Sequence, residues 1–96
     1  MVPQPLFADR PEPVPTACFS LQARAEPGIM PRVLELFAKR GLVPSSWHSD
    51  VAGDELTIDL QMRGMESELA DYVAACLRQI PGIEVVLTSE KRWAGR

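Results

Sequence analysis

Apolar and polar residues follow two distinct rhythms from Cys18 to Leu87. In CFSLQARA, Phe19, Leu21 and Ala23 fall on one side of an extended chain. Ser20, Gln22 and Arg24 fall on the other, which predicts a half-buried strand. After Glu26-Pro27-Gly28 the rhythm changes. Met30, Val33, Leu34, Phe37 and Ala38 recur at i, i+3, i+4, i+7 and i+8, one stripe of a helix. Pro31 falls in its first turn, where a missing N–H costs nothing. Lys39 and Arg40 suit its C-terminal dipole, and Gly41 supplies the left-handed residue that ends it.

A weaker strand follows over Leu42–Ala52, with Pro44 marking an edge or a bulge. Gly53-Asp54 is a hairpin turn. ELTIDLQM then alternates cleanly, with Leu56, Ile58, Leu60 and Met62 on one face and Thr57, Asp59 and Gln61 on the other. Leu69, Tyr72, Val73, Cys76, Leu77 and Ile80 form a second helical stripe, which Pro81-Gly82 stops. Ile83, Val85 and Leu87 alternate in a last strand, followed by a polar tail.

The order β-α-β-β-α-β predicts an α+β, ferredoxin-like sandwich, with a four-stranded antiparallel sheet and two helices on one face. The other face, with Ser20, Gln22, Arg24, Thr57, Asp59 and Gln61, is expected to be polar and uncovered, open to solvent or to another subunit. The folded unit is expected over residues 16–90. Residues 1–15 carry five of the nine prolines, a spacing that opposes both helix and ladder pairing, and predict a flexible arm. Leu6-Phe7 within that arm is a candidate docking element. Residues 91–96 read as a terminal tail.

Ninety-six residues at 46% hydrophobic composition make one domain with a modest core, one that oligomerisation would help to stabilise. No apolar run is long enough to span a membrane, and the N-terminus lacks the features of a secretory signal. Cys18 and Cys76 sit in apolar-periodic stretches and are expected to be buried free thiols of a cytoplasmic protein. The net charge of −3 and the dispersed basic residues argue against nucleic acid as a partner.

Candidate chemistry is sparse. His48 is the single histidine and is expected to be a surface or structural residue. No His, Cys, Asp and Glu set has metal-ligand spacing, and no phosphate-binding glycine loop is present. The central strand carries no aromatic platform for RNA bases. Asp50, Asp54, Glu55 and Asp59 read as a solvated rim around a hairpin. The chain is therefore expected to be non-catalytic, with no cofactor and no metal. A small acyl-phosphate hydrolase on this scaffold would need an Arg-Asn pair and a glycine-rich anion loop, which are missing.

From Thr16 to Ser89, with the Glu26-Pro27-Gly28 turn, the helix IMPRVLELFAKRG and the pair Gly41-Leu42, the chain resembles ACT domains. Its shortness makes it similar to the small regulatory subunits of acetolactate synthase. The resemblance implies a homodimer, a large catalytic enzyme as partner, and a small amino-acid effector held between two copies. Carried over by position, the implied ligand-binding residues are Ala25, Glu26, Pro27, Gly28, Ile29 and Met30, with Val43 and Pro44 opposite. Amides at a helix N-terminus can hold a carboxylate, and glycine allows close approach. The valine-binding members carry Asp or Asn at the position of Ala25 and Asn at that of Val43, so recognition here would fall to the backbone. The implied role is regulation of branched-chain amino-acid synthesis. A free-standing amino-acid sensor is the alternative.

Overall fold

The computed structural model describes residues 14–93. Six elements follow in order: β1 (Val14–Arg24), α1 (Ile29–Lys39), β2 (Ser46–Ala52), β3 (Glu55–Arg63), α2 (Ser67–Leu77) and β4 (Ile83–Trp93). The strands form one antiparallel sheet in the order β2-β3-β1-β4, which is the ferredoxin-like arrangement. The core lies between the sheet and the helices. Phe19, Leu21, Leu56, Ile58 and Leu60 enter it from the central strands, and Ile29, Val33, Phe37, Val73 and Leu77 from the helices. Phe19 and Phe37 meet edge to face, with ring centroids 6.1 Å apart.

The opposite sheet face is open, as expected. The register sets its rows: Ser46, Gln61, Cys18 and Ser89; His48, Asp59, Ser20 and Leu87; Asp50, Thr57, Gln22 and Val85. His48 is exposed there.

Several elements depart from the expected pattern. β1 begins at Val14, four residues ahead of Cys18, and contains Pro15. Pro15 is buried near the strand start, and its carbonyl accepts the Gly64 N–H at 2.6 Å, so the strand tolerates a residue that cannot donate. The expected arm lies outside the described residues for positions 1–13, Leu6-Phe7 included. β2 starts at Ser46 rather than Leu42, because Pro44 cannot join the ladder. Ser45 makes the first contact, its N–H donating to the Gln61 carbonyl at 2.8 Å. β4 runs on through Lys91, Arg92 and Trp93, which had been expected in a tail; residues 94–96 lie outside the described residues.

Both helices bury a stripe beside the expected one. In α1 the buried residues are Ile29, Val33, Leu36 and Phe37, while Leu34 and Ala38 are exposed. In α2 they are Ala70, Val73, Ala74 and Leu77, while Leu69 and Tyr72 are exposed. Cys18 and Cys76 are free but only half-buried. Cys76 and Tyr72 receive Arg40 at the end of α1. The Arg40 guanidinium donates to the Tyr72 hydroxyl at 3.4 Å, to the Cys76 sulfur at 3.6 Å and to the Leu36 carbonyl at 3.0 Å. It also lies 5.6 Å from the Tyr72 ring centroid. The bond to Tyr72 holds its pKa above the ordinary arginine value.

In β4 Val86 is buried and Ile83 packs against the core, while Val85 and Leu87 face outward. The cause is a bulge. Gln22 pairs with Val85 but Ala23 pairs with Ile83, so Glu84 is an extra residue and inverts every side chain beyond it.

Candidate ligand site at the first strand–helix turn

β1 ends at Arg24, and the chain reverses into α1 within four residues. Backbone bonds fix the reversal. Ala25 N–H donates to the Asp54 carbonyl at 2.8 Å, and Glu26 N–H to the Arg24 carbonyl at 2.8 Å. Ile29 N–H donates to the Glu26 carbonyl at 3.1 Å, and Arg32 N–H to that of Gly28 at 3.3 Å. Pro27 and Pro31 have no N–H. The amides of Gly28 and Met30 are left without an acceptor among the described residues. Both belong to the first turn of α1, where the helix dipole favours an anion.

Gly28 is not required by its own backbone. Its φ is −82°, an ordinary value, and a Cβ there would meet nothing closer than the Arg32 guanidinium carbon at 4.0 Å. The position is therefore open space beneath a cation. Arg32 is exposed and makes no ion pair among the described residues. The sequence reading passed over it. Its signal was a spacing of four from Gly28, which puts it one helical turn above the turn's free amides.

The other candidate residues separate into three groups. Ala25 and Glu26 line a shallow groove of about 260 Å³ with Arg24, Gly53 and Asp54. Glu26 is partly held by Arg24 at 3.5 Å. Pro27 is exposed beside them. Ile29 points into the core at 1% exposure and offers a ligand no side chain, and Met30 is half-buried against the core. Val43 and Pro44 lie elsewhere. They follow the C-terminal end of α1, and the helix of eleven residues separates them from the turn by about 16 Å. Val43 is 81% exposed. One chain thus presents the two halves of the expected site at opposite ends.

The turn is braced from behind by the α2–β4 connection. The Gly82 carbonyl accepts the Arg24 N–H at 3.0 Å, and Gly82 packs directly against the Ile29 side chain.

Known structures share this architecture. The ACT domain of GTP pyrophosphokinase from Chlorobium tepidum superposes with a TM-score of 0.68 at 12% identity, covering 77% of this chain and 96% of that one. The C-terminal domain of the MgtC protein from Mycobacterium tuberculosis gives 0.66 at 16% identity, covering 88% and 95%. A homoserine dehydrogenase from Thiobacillus denitrificans gives 0.63 at 14% identity, with 88% of this chain matched to 19% of that much longer one. At such identities the likeness is one of fold. No curated protein matches the chain in sequence. Residues 13–92, however, match the ACT-like domain family, and with the βαββαβ topology this places the chain in that family.

Proposed function

We propose that the chain is a non-catalytic regulatory subunit that binds an amino-acid effector at the β1–α1 turn and acts on a large catalytic partner. The partner proposed is acetolactate synthase, in the cytoplasm, in branched-chain amino-acid synthesis. One observation carries the reading: the Gly28 and Met30 amides have no acceptor among the described residues, and the Arg32 guanidinium carbon lies 4.0 Å from where a Cβ on Gly28 would stand. An α-carboxylate would take the two amides and the guanidinium, and the Glu26 carboxylate, which Arg24 holds at 3.5 Å, would receive an α-ammonium. The gap left by the missing Cβ admits the ligand's backbone. Regulation then follows as a coupling free energy between this site and the surface that docks on the enzyme.

Gly28→Asp tests the site without breaking the fold. Aspartate can adopt the ordinary backbone of Gly28, and its charge suits the helix N-terminus, so the helix should hold or gain a few tenths of a kcal/mol. Its carboxylate would occupy the amides and repel the ligand's own. In the natural protein, an effector at about ten times its Kd adds about 1.4 kcal/mol, or roughly 6–11 °C in Tm for a domain this small. That rise should appear with one or more branched-chain amino acids and vanish in Gly28→Asp. A rise that persists in the variant places the ligand elsewhere.

The alternative, a free-standing sensor, shares the site but not the partner. Affinity purification of the tagged chain from its own cells at low salt separates the two. A stoichiometric thiamine-diphosphate enzyme supports the subunit. Recovery of this chain alone, together with an effector response, supports the sensor.

A further inference from the structure

A second site lies at the other end of the open sheet face. Thr16 on β1 is paired with Arg63 on β3 and with Lys91 on β4, so these three residues form one row across adjacent strands. The row shares its face with Cys18, Ser20 and Gln22. Arg63 and Lys91 line a half-open cavity of about 210 Å³, together with Thr16, Ser46 and Gln61. Ser45 builds its wall: its hydroxyl donates to the Gln61 carbonyl at 3.0 Å and accepts the Arg63 N–H at 3.0 Å.

Among the described residues the charge in this cavity is uncompensated. Neither Arg63 nor Lys91 makes an ion pair among the described residues. Their neighbour Arg92, on the helix side of the sheet, is held by Glu90 at 2.9 Å and by Glu66 at 3.9 Å. The next acid along this face of β3 is Asp59, about 13 Å from Arg63 at strand rise. The two cations stand two strands apart, about 10 Å between backbones. Like charges in one row oppose each other, and an anion bridging them removes that cost. In a chain of net charge −3 the local excess is not a general property of the surface.

We propose that this cavity binds a small organic or inorganic anion through a carboxylate or phosphate group seated between Arg63 and Lys91. The planar guanidinium would take two oxygens of the group, and the ammonium would take a third oxygen of a phosphate or share one of the two of a carboxylate. The Thr16 and Ser46 hydroxyls and the Gln61 side chain supply further donors. The cavity has room for phosphate or a short carboxylic acid. Eight residues of β1, about 26 Å, separate Thr16 from Arg24, so within one copy this site stands apart from the β1–α1 turn.

The test is an amide-resolved NMR titration of the full chain at constant ionic strength, with inorganic phosphate in one series and succinate in another. Saturable shifts at Thr16, Ser46, Gln61, Arg63 and Lys91 are expected with at least one of the two. Arg63→Gln and Lys91→Gln, both exposed positions, should each weaken the binding about tenfold, the loss of one charge-assisted contact, while the spectrum stays folded. The proposal is overturned if neither anion gives saturation, if chloride alone reproduces the shifts, or if the shifts centre on Gly28 and Met30 instead.

Discussion

Gly82 is the residue on which the geometry of the turn depends. Its φ is +96°, and a Cβ there would stand 2.6 Å from the Ile29 Cδ1 and 3.5 Å from a Glu26 carboxylate oxygen. Gly82→Ala therefore combines a left-handed backbone with a clash against a buried side chain. It should cost about 2–4 kcal/mol, read as a lower urea midpoint at unchanged slope. Gly28→Ala is the contrast. With negative φ and open space, it should change stability by less than about 0.5 kcal/mol while blocking close approach of an effector. Pro81-Gly82 was legible in the sequence as a helix stop. Its second role was not, because Ile29 lies far off in the chain and only the fold brings it near. Arg32 was hidden for a similar reason. In sequence it is one more cation on a polar helical face, and only the path of the turn places its guanidinium beside Gly28.

At the scale of the element, periodicity shows where each strand and helix lies but not which of two adjacent stripes is buried. Leu69 and Tyr72 looked like core, yet Ala70 and Ala74 are the buried residues of α2. Tyr72 serves at the surface, where its ring and hydroxyl meet Arg40. The same limit appears in β4. Strict alternation would bury Val85 and Leu87, and nothing in IEVVL marks Glu84 as an inserted residue; the bulge follows from pairing with β1. The inversion makes a sharp expectation. Val86→Ala should destabilise by about 2 kcal/mol, for two lost methylenes and the space they leave. Val85→Ala and Leu87→Ala should each stay within about 0.5 kcal/mol, since 38% and 61% of their surface is already exposed. Thermal melts of the three variants decide it. A large loss at Leu87 with none at Val86 would mean that β4 pairs without the bulge.

The whole molecule carries the two halves of the proposed effector site at opposite ends of α1, with Gly28 at one and Val43 at the other. A single copy cannot close such a site, but a two-fold pair can. In a closed two-fold dimer that packs α1 antiparallel against the α1 of its partner, the turn of one copy meets residues 43–44 of the other, twice over. This is the geometric reason for proposing a homodimer, and it has a consequence that a monomeric site lacks. Gly28→Asp removes the turn half, and Val43→Trp fills the opposing half at a position already 81% exposed. Each variant alone should bind no effector. When the two are mixed in equal amounts and allowed to exchange, half of the dimers become mixed. Each mixed dimer carries one site with both faults and one with neither, so about a quarter of the natural binding capacity should return. Calorimetric titration of the mixture against the two separate variants measures it. Restored binding requires that the turn and residues 43–44 come from different copies. If light scattering shows a dimer and Val43→Trp by itself binds the effector at natural capacity, Val43 does not face the turn, and the effector is held by the turn of one copy alone.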